Sequence, residues 1–252
     1  MEHHSILYGP VNGLLIRLLG QPPVDKLSPG ARAFWFPDGK EAWIPDPAIM
    51  AILVLVLFAI FLPMAARRFD RDKPGGVQNF LEMLVDGMRG LFEDVIGHGA
   101  EKYYWMLGAF AVFIGVSNLF GLFFFLTPPT AVLSTTLALA VVSFVYFNAI
   151  GIRANGLWGY LKHFLGAVWW LAPLFFVIET ISNFARILSL SLRLFMNISG
   201  EHTVTGFFSS IAPIVVPWPL MILGLFTAFL QAFIFVTLTC VYINLLTAHE
   251  EH

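Results

Sequence analysis

Four charged side chains interrupt the apolar sequence that separates Lys162 from the polar tail: Glu179, Arg186, Arg193 and Glu201. Their spacings of 7, 7 and 8 residues place all four within a sector of roughly 80° on a helix. The set covers 22 residues, or roughly 33 Å of helical rise, close to the hydrocarbon thickness of a bilayer. Each charge costs about 2.5–3.5 kcal/mol at the membrane centre, so charges retained there indicate ion or proton transfer.

Two amides, Asn183 and Asn197, lie in the same sector of this helix. An alternative reading is a row of internal salt bridges that fixes helix packing. Arg193 argues against it, because a neighbour seven residues away is about 10 Å distant along the axis. Arg193 is therefore predicted to need an acidic partner from outside its own helix.

The composition is that of an integral membrane protein. The 252 residues are 58% hydrophobic and only 12% charged, and the mean hydropathy is +0.79. A net charge of -2 gives no reason to expect a nucleic-acid partner. The single cysteine, Cys240, excludes an internal disulfide.

These features predict an all-α membrane fold with about five membrane-embedded helices. Residues 1–46 are expected to form an extracytoplasmic N-terminal segment, and residues 47–252 the membrane domain. The last two helices exceed the roughly 20 residues that a perpendicular crossing needs, so a long, tilted hairpin is expected. The predicted spans are about 47–66, 104–126, 131–150, 166–199 and 203–248.

Residues 77–97 combine helical apolar periodicity with too many charges to cross a bilayer. An amphipathic helix is predicted. It either lies along the cytoplasmic membrane surface or packs on a partner subunit, and the pattern leaves both open.

Basic residues set the expected orientation. A cluster from Arg67 to Lys73 follows the first span, and Arg153 and Lys162 flank the loop after the third. Short basic loops face the cytoplasm, so the N-terminus is expected outside and the C-terminus inside.

The stretch Leu188–Asn197 followed by Gly200-Glu201 resembles subunit a of the rotary F-type ATP synthase. The stretch Leu230–Phe235 does too, and the two motifs lie about 38 residues apart, a specific combination. The resemblance extends over roughly residues 45–252. Further traces are Gly75–Glu82, Ser117–Leu122 and Lys162–Phe164.

This resemblance implies a stator subunit beside a ring of c subunits, each with a carboxylate at mid-membrane. Two laterally offset half-channels would reach that depth, with Arg193 between them. The implied partners are the c-subunit ring, the b subunits of the peripheral stalk, the remaining ATP synthase complex and the lipid bilayer. The implied location is a bacterial inner membrane, with no cofactor and no metal site.

The resemblance also implies individual roles. Glu201 would line the outer half-channel with Asn197 and Gln231 as polar neighbours, whereas Glu179 and Ser189 would border the inner one. The roles of three further residues, Asn183, Arg186 and His202, stay open. Arg186 either serves the pathway or only pairs locally. His202 either compensates for a missing partner of Glu201 or is a solvated loop histidine.

The chain departs from the family pattern at three places. Met196 stands where the family usually has glycine, which bears on how closely the ring approaches. Val132 and Ser134 stand where an acid and an asparagine are frequent. Gly224 stands where an ionisable partner of the Glu201 position is frequent.

Two other functional classes, a membrane enzyme and a self-contained transporter, would have different features. His-Glu-x-x-His and Gly-x-Ser-Gly are both absent from the sequence, so the chain is not expected to be an enzyme by itself. A self-contained transporter or channel remains the alternative, and it would conduct ions in liposomes without a c-ring.

Overall fold

The structure is a computed structural model that describes residues 6–19, 44–67, 69–70, 75–97, 99–122, 126–165, 171–211 and 217–247. These residues form helices linked by short 3₁₀ turns, and no strand occurs among them. The helices are α1 (Tyr8–Leu19), α2 (Asp46–Ala66), α3 (Gly76–Ile96), α4 (Tyr104–Leu119), α5 (Leu133–Leu165), α6 (Ala172–Ile211) and α7 (Pro217–Thr247).

Five of these helical stretches are long and apolar enough to cross a membrane. A lipid-facing backbone must satisfy its own hydrogen bonds, and an α-helix does so within one segment. The all-α membrane fold predicted from the sequence is therefore confirmed. The stretches are Asp46–Met64, Ala100–Leu122, Leu133–Gly156, Ala172–Phe208 and Trp218–Thr247.

Two predicted helix ends were wrong. The charged helix α6 continues to Ile211 instead of ending near residue 199, so residues 203–211 belong to it and not to the final helix. The helix is continuous through Gly200, and Thr203 Oγ1 donates to the Ser199 carbonyl (2.8 Å) within it. Helix α5 likewise passes residue 150 and bends only at Gly156, whose φ of 69° favours glycine.

Helix α3 confirms the predicted amphipathic helix. Phe92 is buried, whereas Val77 and Phe80 near its start are exposed. Its C-terminal end is attached to α7 of the same chain, because Asn244 Nδ2 donates to the Val95 carbonyl (2.8 Å).

The chain divides into two compact units, each with an apolar core. One consists of Met1–Pro63, Phe113–Thr136 and Leu194–Leu230, and the other of Met64–Val112, Leu137–Arg193 and Gln231–His252. In the first unit Met50, Val54 and Ile114 are fully or almost fully buried. In the second, the ring of Phe110 packs against Phe235 with 5.6 Å between centroids.

Several expectations fall on residues outside the described ranges. They concern the segment 20–43 of the N-terminal region, the basic residues at 68 and 71–73, the start of the fourth predicted span at 166–170, residues 212–216 of the fifth span and the tail 248–252.

Candidate ion pathway

Helix α6 places the predicted charged residues on one continuous backbone, but their environments differ. Glu179, Asn183, Arg186, Ser189 and Arg193 belong to the second unit. Asn197, Glu201 and His202 belong to the first unit.

Arg186 is held by its own helix. Its guanidinium donates to Glu179 Oε1 at 3.4 Å and to Asn183 Oδ1 at 3.2 Å. The same guanidinium lies 5.0 Å from the ring centre of Tyr242 on α7, a cation–π distance. The side chains of Arg186 and Glu179 are only 14% and 26% exposed, so this ion pair is largely removed from water. The local pairing that the sequence left open is therefore present.

Tyr160 joins this cluster through the bend at Gly156. The bend turns the end of α5 back, and the Tyr160 hydroxyl donates to Asn148 Oδ1 on the preceding part of the helix. Burial raises the pKa of the Tyr160 hydroxyl, and the nearby Glu179 carboxylate raises it further, whereas Arg186 lowers it. The hydroxyl therefore stays protonated, and its single proton is donated to Asn148.

Close packing allows the chain to fold back here. A Cβ atom on Gly151 would lie 3.1 Å from Leu246 and 3.4 Å from the Tyr160 ring. Asn155 Nδ2 also donates to the Leu246 carbonyl at 2.6 Å. The part of α5 just before the bend is thus attached to the end of α7, and Tyr160 after the bend packs back against that part.

Arg193 has a different environment from Arg186. Within the described ranges its guanidinium makes neither an ion pair nor a hydrogen bond. It is partly exposed, although Leu190, one turn earlier, is 2% exposed. A permanent positive charge is thus presented from an apolar helix without an acidic partner among the described residues.

Two other residues assigned to the pathway lie in the second unit. Ser189 is exposed on α6. Gln231 on α7 is 2% exposed and takes part in a polar or electrostatic interaction.

In the first unit, Glu201 lies directly against the backbone of Gly224. A Cβ atom at position 224 would lie only 1.5 Å from Glu201 Oε1. The carboxyl group therefore occupies the space in which any larger side chain at 224 would begin. The sequence showed that an ionisable partner is missing at 224, and the structure shows that glycine makes room for the acid itself.

His202 is positioned by a second glycine. A Cβ atom on Gly121 would lie 2.9 Å from His202 Nε2. This Nε2 atom is buried and has no hydrogen-bond partner within the described part of the chain. His202 is therefore not a solvated loop histidine, because it lies inside α6 and is packed against Gly121.

The first unit has further buried polar groups, on α4 and in the 3₁₀ turn Pro129–Ala131. Asn118 Nδ2 donates to the Ala228 carbonyl at 3.3 Å, and Thr130 Oγ1 donates to Asn118 Oδ1 at 2.7 Å. The Ser117 hydroxyl is buried without a hydrogen-bond partner among the described residues. Asn197 is exposed on α6 and makes an interaction of its own.

Sequence reasoning missed the residues that complete these clusters. Asn148 and Ser117 could have been flagged, because polar side chains inside spans are costly and tend to be functional. Tyr160, Tyr242 and Gly121 carry no such signal. Their roles depend on which helices touch.

Comparisons with known proteins give consistent matches. A family model described as ATP synthase A chain matches residues 48–244. A protein from Geotalea uraniireducens (strain Rf4) is 40% identical over 197 residues, covering 78% of this chain and 86% of the relative. Proteins from Trichlorobacter lovleyi and Geobacter sulfurreducens are also 40% identical over 197 residues, covering 78% of this chain and 85% and 86% of the relatives. All three relatives are named ATP synthase subunit a.

Proposed function

Because this chain belongs to the ATP synthase A chain family, we propose that it forms two offset half-channels against a c-subunit ring and couples proton flow to ring rotation through Arg193. It is a multi-pass inner-membrane protein with the family's proton-translocating stator role, and it is not catalytic alone. The c-ring and the b subunits of the peripheral stalk are its proposed direct partners within the complex.

The observation that carries the proposal is the contrast between the two arginines of α6. Arg186 is neutralised by Glu179 at 3.4 Å, whereas Arg193 has no ion pair within the described ranges. Leaving a charge unpaired in a membrane is costly, so a partner from another molecule is required. A c-subunit carboxylate is the proposed partner.

Arginine suits this position because its guanidinium stays protonated and cannot pass on a proton. Its charge lowers the pKa of an approaching carboxylate and favours proton release. The same charge repels hydronium and so prevents a direct leak between the half-channels.

The outer half-channel is proposed to run along Glu201 and His202, with Asn197 and Gln231 as polar neighbours. Two observations support this assignment: Glu201 is partly buried, and His202 Nε2 has no hydrogen-bond partner among the described residues. Water normally satisfies buried polar atoms that lack a protein partner, and the Ser117 hydroxyl is another such atom in the same unit.

The inner half-channel is proposed to pass Ser189 and Glu179. Arg186 holds the Glu179 carboxylate in place, and Asn183 accepts a hydrogen bond from the same guanidinium, so Arg186 positions the acid and Asn183 positions Arg186.

Replacement of Arg193 tests the proposal. ATP synthesis is measured in inverted vesicles and normalised to assembled complex. Arg193→Ala is expected to reduce proton-driven synthesis to background without loss of assembly, and passive proton leak should rise. Arg193→Lys should be nearly as damaging, because an ammonium lacks the planar guanidinium and can lose its proton when desolvated. Arg67→Ala removes an exposed arginine outside the spans and should leave synthesis unchanged.

Two results would contradict this function. Substantial synthesis per assembled Arg193→Ala complex would mean that Arg193 only packs. Proton conduction by the purified chain alone in liposomes would favour a self-contained channel.

A further inference from the structure

A groove lies on the surface of the second unit between α4 and α5. Its volume is about 430 Å³. The lining includes Met106 from α4, and Val141, Val145, Tyr146, Ala149 and Arg153 from α5. This site shares no residue with the proposed ion pathway and does not depend on the proposed function.

The lining residues of α5 form one helical face, since they recur at intervals of three and four along the helix. From Val141 to Arg153 the helix advances 12 residues, or roughly 18 Å. The hydrocarbon of one leaflet is about 15 Å deep, half of the roughly 30 Å core. The groove therefore has the depth of a single acyl chain.

The groove is apolar at one end and basic at the other, which matches the acyl chain and the anionic headgroup of a phospholipid. Val141 and Val145 are 42% and 58% exposed, so the deep end is open and apolar. Arg153 stands near the end of the span Leu133–Gly156, where headgroups lie. Its side chain is exposed and makes no ion pair or hydrogen bond within the described ranges.

We propose that this groove binds one anionic phospholipid, with an acyl chain along Val141–Ala149 and the headgroup phosphate at Arg153. Basic residues at the mouth of grooves between membrane helices bind anionic headgroups, and a guanidinium offers two parallel donors to a phosphate. An uncharged partner helix would leave this arginine without an acceptor.

Photochemical crosslinking tests the site in the assembled complex. The photoreactive residue p-benzoylphenylalanine replaces Tyr146, an aromatic residue of the groove. A control probe replaces Leu55, an apolar side chain of α2 that is 57% exposed and lies 12 residues before the first basic residue, Arg67. The complex is placed in vesicles of equal phosphatidylglycerol and phosphatidylcholine, irradiated, and the adducts are identified by mass.

The probe at 146 should favour phosphatidylglycerol adducts by about fivefold, the size expected from one arginine near the surface. The probe at 55 should show no preference. Arg153→Gln should abolish the preference at 146, whereas Arg67→Gln should not. Val145→Trp, which fills the groove while leaving the charge, should reduce the yield of lipid adducts at 146.

Three results would overturn the inference. Equal yields of phosphatidylglycerol and phosphatidylcholine adducts at position 146 would show that the groove contacts surrounding lipid without selecting the anionic one. A preference that survives Arg153→Gln would remove the arginine from the site. Adducts at 146 with another subunit would show that a partner helix occupies the groove.

Discussion

At the residue scale, Arg186 and Arg193 lie seven positions apart on one helix and are used differently. Arg186 makes contacts with Glu179, Asn183 and Tyr242, all in its own unit. These contacts compensate for removing both charges from water, but only while both partners are present. Arg193 makes none of them.

The ion pair predicts a specific pattern of stability. Arg186→Gln leaves the largely buried Glu179 carboxylate unpaired and should lower the Tm of the chain in detergent. Glu179→Gln should do the same by leaving Arg186 unpaired. The double variant should recover most of the loss, with a coupling of about 0.5–3 kcal/mol. Additive effects of the two changes would show that the pair contributes nothing.

Gly224 controls where the Glu201 carboxyl lies. Gly224→Ala would place a methyl group 1.5 Å from the present position of Oε1, so the acid must move. We expect proton flux per assembled complex to fall several-fold, close to that of Glu201→Gln, at an overpacking cost of about 1–3 kcal/mol. Gly206→Ala is the matched control, because nothing lies within 4 Å of a Cβ there. Unchanged flux in Gly224→Ala would show that the placement of Glu201 is unimportant.

At the scale of elements, the bend in α5 brings Tyr160 to the Glu179 cluster. Gly156 adopts φ 69° and ψ 167°, a conformation that costs residues other than glycine about 1–3 kcal/mol. After the bend, the hydrogen bond from Tyr160 to Asn148 holds the returning segment against the earlier part of α5.

Replacement of this glycine should loosen the returning segment. Gly156→Ala is expected to increase amide hydrogen exchange in residues 157–165 without changing exchange in α7. Gly206→Ala serves again as the control, since its helix is regular and the position is open. Protection equal to that of the unsubstituted chain would show that Gly156 does not define the bend.

At the scale of the whole molecule, we propose that residues 1–46 are extracytoplasmic and that the membrane domain 47–252 ends in the cytoplasm. The basic residues after α2 and near the end of the third span support this orientation. Helix α3 would then lie on the cytoplasmic side, attached to the end of α7 through Asn244.

Cysteine labelling tests the orientation. In a Cys240→Ala background, Asp70→Cys introduces an exposed thiol after the first span. A membrane-impermeant maleimide should label it in inverted vesicles but not in intact cells. The native Cys240 is fully buried and should resist labelling in folded protein. Labelling of position 70 only from the outside would reverse the whole topology.

The sequence by itself determined the helical membrane fold, the amphipathic helix and the charged face of α6. The first follows from hydropathy, and the other two follow from helical periodicity, which are local properties that need no knowledge of neighbouring helices. The Arg193 motif and its spacing from Gln231 also identified the family before any contact was known.

The tertiary structure decided which groups those charges meet. Glycines at 224 and 121 have no side chain to signal a role, yet they make room for Glu201 and His202. Tyr160 reaches the Glu179 cluster only because Gly156 reverses the chain, and Arg186 meets Tyr242 only because α6 lies beside α7. Such contacts join residues far apart in the chain, so local sequence carries no record of them.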